Sequence, residues 1–283
     1  MALRNALLLL AVLVPTLACS APAGLLVEVD SLDAGVRLPG YWFPAVGAGG
    51  AAVVALHGCG GLQVHQGRLG AGQLRYARML NDAGIAVLFT ESFLPRGEKS
   101  ICSQTPASRA ITEEQRRLDV YGALAWLARQ PGVEKGRLGV LGWSHGGQTV
   151  LASADRSRAV VAQAGVKPTA LVAFYPGCSS IDKSATFAPV APLLVMSGAL
   201  DDWTPAAPCR RAMARLGARD GLPAVEYVEY AGSFHGFDSA LPPRVRGDVG
   251  GTKSGKATVG GNPLAREQSA QAMLQFFTTH LMH

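Results

Sequence analysis

From residue 53 onward, short apolar runs alternate with longer amphipathic segments, and this rhythm narrows the architecture more than any other feature. Val53–Leu56, Ile85–Phe89, Leu138–Leu141, Ala170–Phe174, Leu193–Met196 and Val225–Tyr230 are short and rich in aliphatic and β-branched residues, which predicts strands. Between and after them, Gln66–Ala83, Thr112–Arg129, Gly146–Ala154, Pro205–Arg219 and Pro263–Leu281 carry helical spacing. In the second of these, Leu118, Tyr121, Leu124, Ala125 and Ala128 share one stripe, and Thr112 with Gln115 forms a capping-box start. Strand–helix–strand alternation implies right-handed crossovers and a mostly parallel sheet with helices on both faces. A hydrophobic content of 48% with only 16% charged residues suits a sheet buried on both sides. Leu25–Phe43 reads as one or two antiparallel edge strands, and Arg244–Gly261, rich in Gly and Lys, as a surface loop. G-G-T-K-S-G-K (250–256) is no phosphate loop: Ala257 stands where Ser or Thr is needed, and no strand precedes it. Without an internal repeat or a second hydrophobic unit, residues 24–283 are expected to form a single α/β domain.

The first 23 residues are set apart. Arg4, the apolar run Ala6–Leu13 and the small residues Ala18 to Ala23 have the form of a secretory signal peptide, with cleavage after Ala21 or Ala23. An alternative is a lipoprotein signal, in which T-L-A-C places Cys19 at the lipidation point. Either way the expected location is secreted or periplasmic, with membrane attachment only if Cys19 is lipidated. The remaining cysteines, Cys59, Cys102, Cys178 and Cys209, then suggest two disulfides, with three pairings open and four free thiols as the alternative. His57, Cys59 and His65 match no zinc-ligand spacing, so no metal is expected. The net charge of +6 is scattered without a basic run of five, so it is read as ordinary surface and no nucleic-acid partner is expected.

G-W-S-H-G-G (142–147) follows a predicted strand and opens a helix of small residues. The five letters G-x-S-x-G are weak alone; the strand–serine–helix context makes Ser144 a candidate nucleophile. Gly142 and Gly146 leave room for a tight turn, and the helix N-terminus favours developing negative charge. A serine needs a base, and the base an orienting carboxylate. Loops at the carboxyl ends of later strands supply both: S-G-A-L-D-D-W-T-P offers Asp201 and Asp202, and A-G-S-F-H-G-F offers His235. The order Ser, Asp, His is that of α/β-hydrolases. H-G-C-G-G (57–61) lets backbone amides turn inward, and the N–H groups of Cys59 and His145 are the expected oxyanion donors. Each loop also has a plainer reading: Asp201 as a helix cap, His235 as a surface histidine, H-G-C-G-G as a turn.

With these segments quoted, the chain resembles the α/β-hydrolase superfamily and, within it, the dienelactone hydrolase-like family. The resemblance rests on L-H-G-C-G-G, E-S-F-L-P-R-G, L-G-W-S-H-G-G, F-Y-P-G-C, D-D-W-T-P-A-A-P-C and F-H-G-F, spread over residues 56–237. It implies an α/β-hydrolase fold with Ser144, Asp201 and His235 as the triad, because the family pattern sets the acid four residues before Pro205. It also implies the pairings Cys59–Cys102 and Cys178–Cys209. Arg96 is placed where it binds a substrate carboxylate or makes a structural salt bridge. Trp143 and Trp203 flank the nucleophile and the acid, as acyl-pocket walls or as packing. Dienelactone hydrolases proper use cysteine at the nucleophile position; Ser144 needs full general-base help, so the implied activity is hydrolysis of carboxylic esters or lactones in general, without a cofactor. Other readings are a peptidase or polyester hydrolase of the same superfamily, and a non-catalytic binding protein on the same fold.

Overall fold

In a computed structural model, residues 24–45, 49–62 and 64–282 are described. The chain opens with an antiparallel pair, β1 (Leu25–Asp30) and β2 (Arg37–Phe43). After β3 (Ala52–Leu56) come a small hairpin, β4 (Val64–His65) with β5 (Arg68–Leu69), then α1 (Ala71–Asp82), β6 (Ala86–Thr90) and α2 (Glu113–Leu127). β7 (Leu138–Trp143), α3 (His145–Ala154), the single turn α4 (Ala159–Ala162), β8 (Ala170–Phe174), α5 (Ser179–Lys183), β9 (Leu193–Gly198), α6 (Ala206–Gly217) and β10 (Val225–Tyr230) follow. The chain closes with β11 (Arg244–Arg246), β12 (Ala257–Val259) and α7 (Pro263–Leu281).

Eight strands form one sheet in the order β1-β2-β6-β3-β7-β8-β9-β10. Pairing is antiparallel through β1, β2 and β6 and parallel from β6 to β10. The inner strands are apolar at successive positions because both faces are covered. Along β3, Ala52, Val54 and Leu56 point into one core with α2, α3 and α6. Val53 and Ala55 point into the other, with Tyr76 and Leu80 of α1 and Met273, Phe276 and Phe277 of α7. Burying one such aliphatic or aromatic side chain contributes about 1.5–3 kcal/mol, so the two faces together hold the sheet between its helices. The expected capping box forms: Thr112 Oγ1 accepts from the Gln115 N–H at 3.3 Å, and Gln115 Oε1 accepts from the Thr112 N–H at 3.0 Å.

Two segments differ from the sequence expectation. The helix expected from Gln66 begins at Ala71, because Gln66 (φ 51°) and Gly67 (φ 73°) form a tight left-handed hairpin turn before it. The expected loop Arg244–Gly261 contains the antiparallel pair β11–β12. Its strands are three residues each, too short to carry a hydrophobic alternation, so the pairing leaves no periodic signal. The loop is pinned by the Gly250 N–H on Cys102 O at 2.8 Å and the Thr258 N–H on Asp202 at 2.8 Å. The signal segment and Cys19 lie outside the described residues.

Candidate active site

Ser144 sits where β7 ends and α3 begins, with φ 55° and ψ −116°. A non-glycine residue there is strained, and the surroundings impose the strain. A Cβ on Gly142 would strike the Gly146 carbonyl, and one on Gly146 the Leu56 carbonyl, so only glycines allow the turn to lie this close to β3. The loop after β10 brings His235 over the serine: Nε2 lies 2.9 Å from Ser144 Oγ. The loop after β9 brings Asp201 behind it: Oδ2 lies 2.9 Å from His235 Nδ1. Asp201 Oδ1 accepts the N–H groups of Trp203 (2.9 Å) and Thr204 (2.8 Å), which fixes the carboxylate plane. Asp202 turns away to Thr258, so the neighbouring carboxylates are separated by role. With Nδ1–H directed at Asp201, Nε2 presents a lone pair to the serine hydroxyl, an arrangement that can accept its proton.

Thr204 was absent from the sequence reading. Its Oγ1 lies 2.9 Å from Asp201 Oδ2, 3.0 Å from His235 Nδ1 and 3.0 Å from the Tyr175 carbonyl. Tyr175 and Trp203 hold the imidazole between them, with ring centroids 4.7 and 4.8 Å away. Its only sequence signal is the threonine of D-D-W-T-P, beside the proline that sets the acid's spacing.

The H-G-C-G-G loop lies beside Ser144: a Cβ on Gly58 would touch Ser144 Cβ at 3.4 Å. Cys59, His145 and Ser144 line the same cleft, and among the described residues the N–H groups of Cys59 and His145 donate to no protein acceptor. Beneath the loop, His57 Nδ1 lies 2.7 Å from Gly58 O, and Nε2 accepts from the Ser92 N–H at 3.1 Å. Burial, then the nearby Arg116 guanidinium, lower the His57 pKa, so this imidazole is neutral. Glu91 receives the N–H groups of Leu62 (2.7 Å) and Phe93 (2.6 Å). Burial alone would raise its pKa; the Phe93 and Leu62 amides, which favour the ionised carboxylate, outweigh that and hold it at about 2.

The structure joins Cys59 to Cys102 and Cys178 to Cys209. This sets aside the free-thiol alternative, and one cysteine of each pair lines the cleft. Arg96 does not. Its guanidinium grips Asp119 through Nη1 (3.0 Å) and Nη2 (2.8 Å) and Asp33 through Nη2 (2.7 Å), so the salt-bridge alternative replaces the pocket role. Trp143, next to Ser144, is not among the cleft-lining residues; it packs against Tyr76 at 4.8 Å and Phe174 at 5.8 Å. Trp203 does line the cleft, with its Nε1–H on Gly250 O at 3.2 Å. The cleft encloses about 360 Å³. Among the described residues, no cluster of His, Cys, Asp and Glu is placed to hold a metal ion.

Similarity to known proteins follows the same lines. The sequence profile of the dienelactone hydrolase family matches residues 49–281. No curated protein matches the chain by sequence. Among solved structures, a putative dienelactone hydrolase from Klebsiella pneumoniae superposes with a TM-score of 0.62 at 19% identity, over 91% of this chain and 99% of that one. A dienelactone hydrolase-like promiscuous phosphotriesterase from metagenomic libraries gives 0.64 at 22% identity, over 92% and 99%. Dipeptidyl peptidase 4 of Porphyromonas gingivalis gives 0.60 at 14% identity, covering 92% of this chain but 36% of that one. At these identities the superpositions speak for the fold, and the profile speaks for the lineage: the chain belongs to the dienelactone hydrolase family, a family of hydrolases.

Proposed function

We propose that this protein is an exported serine hydrolase of carboxylic esters or lactones, with residues 24–283 forming its one domain. The observation that carries the reading is the unbroken series Asp201–His235–Ser144, with 2.9 Å at each step. His235 Nε2 removes the Ser144 proton as Oγ attacks the acyl carbon. The carbonyl oxygen becomes an oxyanion that accepts the N–H groups of Cys59 and His145, each contributing about 3 kcal/mol to the transition state. The imidazolium is stabilised by Asp201 and gives its proton to the departing alkoxide, leaving an acyl-enzyme. A water then enters, His235 takes one of its protons, and the hydroxide releases the acid and restores Ser144. Export is supported by the two disulfides, which persist in oxidising compartments. No described helix is long and apolar enough to cross a membrane.

The test is labelling of the oxidised protein with a fluorophosphonate, alongside hydrolysis of p-nitrophenyl acetate. Wild type is expected to label and turn over, and Ser144→Ala to do neither, with kcat lower by about 10⁴-fold or more. A folded wild-type protein that resists labelling would return the chain to the non-catalytic binding reading.

A further inference from the structure

One wall of the cleft is untouched by this mechanism. It is made by Arg109, Glu113, Gln148 and the side chain of His145. Its chemistry follows from a buried arginine behind it. Arg116 is fully buried, and its Nη1 lies 2.9 Å from His145 Nδ1. A guanidinium only donates, so Nδ1 must accept and the imidazole hydrogen resides on Nε2. Burial, followed by the charges of Arg116 and Arg109, pushes the His145 pKa well down and keeps the ring neutral. The Nε2–H is therefore a fixed donor. His145 is 1% exposed and its Nε2 has no hydrogen-bond partner. Glu113 Oε2 stands 3.8 Å from it, beyond hydrogen-bond reach.

Arg109 repeats the pattern. Nη1 reaches Gln148 Oε1 at 3.3 Å, while Nε is buried without a partner. Among the described residues neither Arg109 nor Glu113 closes an ion pair with an arginine or carboxylate within 4 Å, although the Glu113 charge acts on the Arg109 guanidinium at longer range. The wall thus offers two unmet N–H donors and one carboxylate acceptor. An anionic ligand group would be opposed by Glu113. A cation would be opposed by Arg109 and would leave both donors unmet. A neutral hydroxyl satisfies both kinds of group with one oxygen. The 3.8 Å gap between His145 Nε2 and Glu113 Oε2 is shorter than two hydrogen bonds of about 2.8 Å laid end to end, so a single oxygen can bridge it. No cleft-lining residue is Leu, Ile, Val, Met or Phe; the apolar lining is confined to Trp203, Pro106, Pro205 and the two disulfides.

We infer that this wall is a subsite for the hydroxyl groups of a polyol ester: one hydroxyl accepts from His145 Nε2–H and donates to Glu113, and a neighbouring hydroxyl accepts from Arg109. The inference deepens the ester-hydrolase reading and rests on it for turnover, but binding at the subsite can be measured separately. The kinetic arm compares 2,3-dihydroxypropyl acetate with propyl acetate, which has the same carbon skeleton without the two hydroxyls. Wild type is expected to favour the dihydroxy ester by about tenfold in kcat/KM, chiefly through KM. Glu113→Ala should bring the ratio near one, and Glu113→Gln, which keeps an acceptor, should restore part of it. A wild-type ratio of one, the outcome if only water occupies the gap, overturns the inference, as does a ratio untouched by Glu113→Ala. The binding arm follows glycerol on the full oxidised protein by saturation-transfer NMR, independently of turnover. Saturable binding that Glu113→Ala weakens supports the subsite; its absence overturns it. Failure to hydrolyse either ester, with glycerol still bound, would count against Ser144 as nucleophile and leave the subsite standing.

Discussion

Thr204 isolates the contribution of a single hydroxyl to the site. It touches both Asp201 and His235 while its own backbone N–H also holds the carboxylate, so one residue ties Asp201 to His235. Thr204→Val keeps the volume and removes the hydroxyl. Losing a hydrogen bond to a charged group costs about 1.5 kcal/mol or somewhat more, so kcat is expected to fall about tenfold with KM little changed, and Thr204→Ser should recover most of it. Steady-state kinetics on p-nitrophenyl acetate would show this; unchanged kcat in the valine variant would mean that the backbone amides alone hold Asp201. Ser144 shows the converse relation: its strained backbone is imposed by neighbouring glycines, so the serine's position belongs to the turn more than to the side chain.

At the scale of elements, the end of β6 organises the candidate oxyanion loop. Glu91 accepts amides from the loop after β3 and from the segment after its own strand, joining two stretches that also meet through the Ser92 N–H on His57, the Ile101 N–H on Cys59 O and the Cys59–Cys102 bond. Its pKa of about 2 lies below the ordinary glutamate value of about 4.3. A carboxylate depressed on folding stabilises the native state above its unfolded pKa, and that contribution is lost as pH falls through the folded pKa. Wild type is therefore expected to exceed Glu91→Gln in stability by about 1–3 kcal/mol near neutral pH, with the gap closing between about pH 4.5 and 2. Urea denaturation at several pH values reads this directly; a gap independent of pH would assign the effect to packing. Arg96 acts similarly on the opposite side, clamping Asp33 after β1 to Asp119 of α2.

Across the whole molecule, two disulfides brace the carboxyl edge of the sheet, where the cleft opens: one joins two loops, the other ties the loop after β8 to α6. They close loops of 43 and 31 residues. Loops of this size give about 2–4 kcal/mol each through the unfolded chain. Replacing Cys59 and Cys102 together by serine should lower stability by that amount and lower kcat as well, because the Cys59 amide is a proposed oxyanion donor. Replacing Cys178 and Cys209 should lower stability with a smaller effect on kcat. Thermal melts and kinetics of the oxidised variants check both, and equal effects on kcat would argue against the Cys59 amide.

The sequence by itself determined the layered α/β order, the two covered sheet faces and the three loops that hold Ser144, Asp201 and His235. Those features are local: strand and helix periods repeat every few residues, and a tight turn demands its own glycines. It left the choice between Asp201 and Asp202 to a family pattern, and gave no signal for the β11–β12 pair, for Thr204, or for the buried contact of Arg116 with His145. Each of these depends on which remote groups lie within a hydrogen bond of one another, in several cases across dozens of residues. Only closure of the sheet and its loops brings such groups together, and only burial then decides whether a charge is paired, neutralised or left facing the cleft.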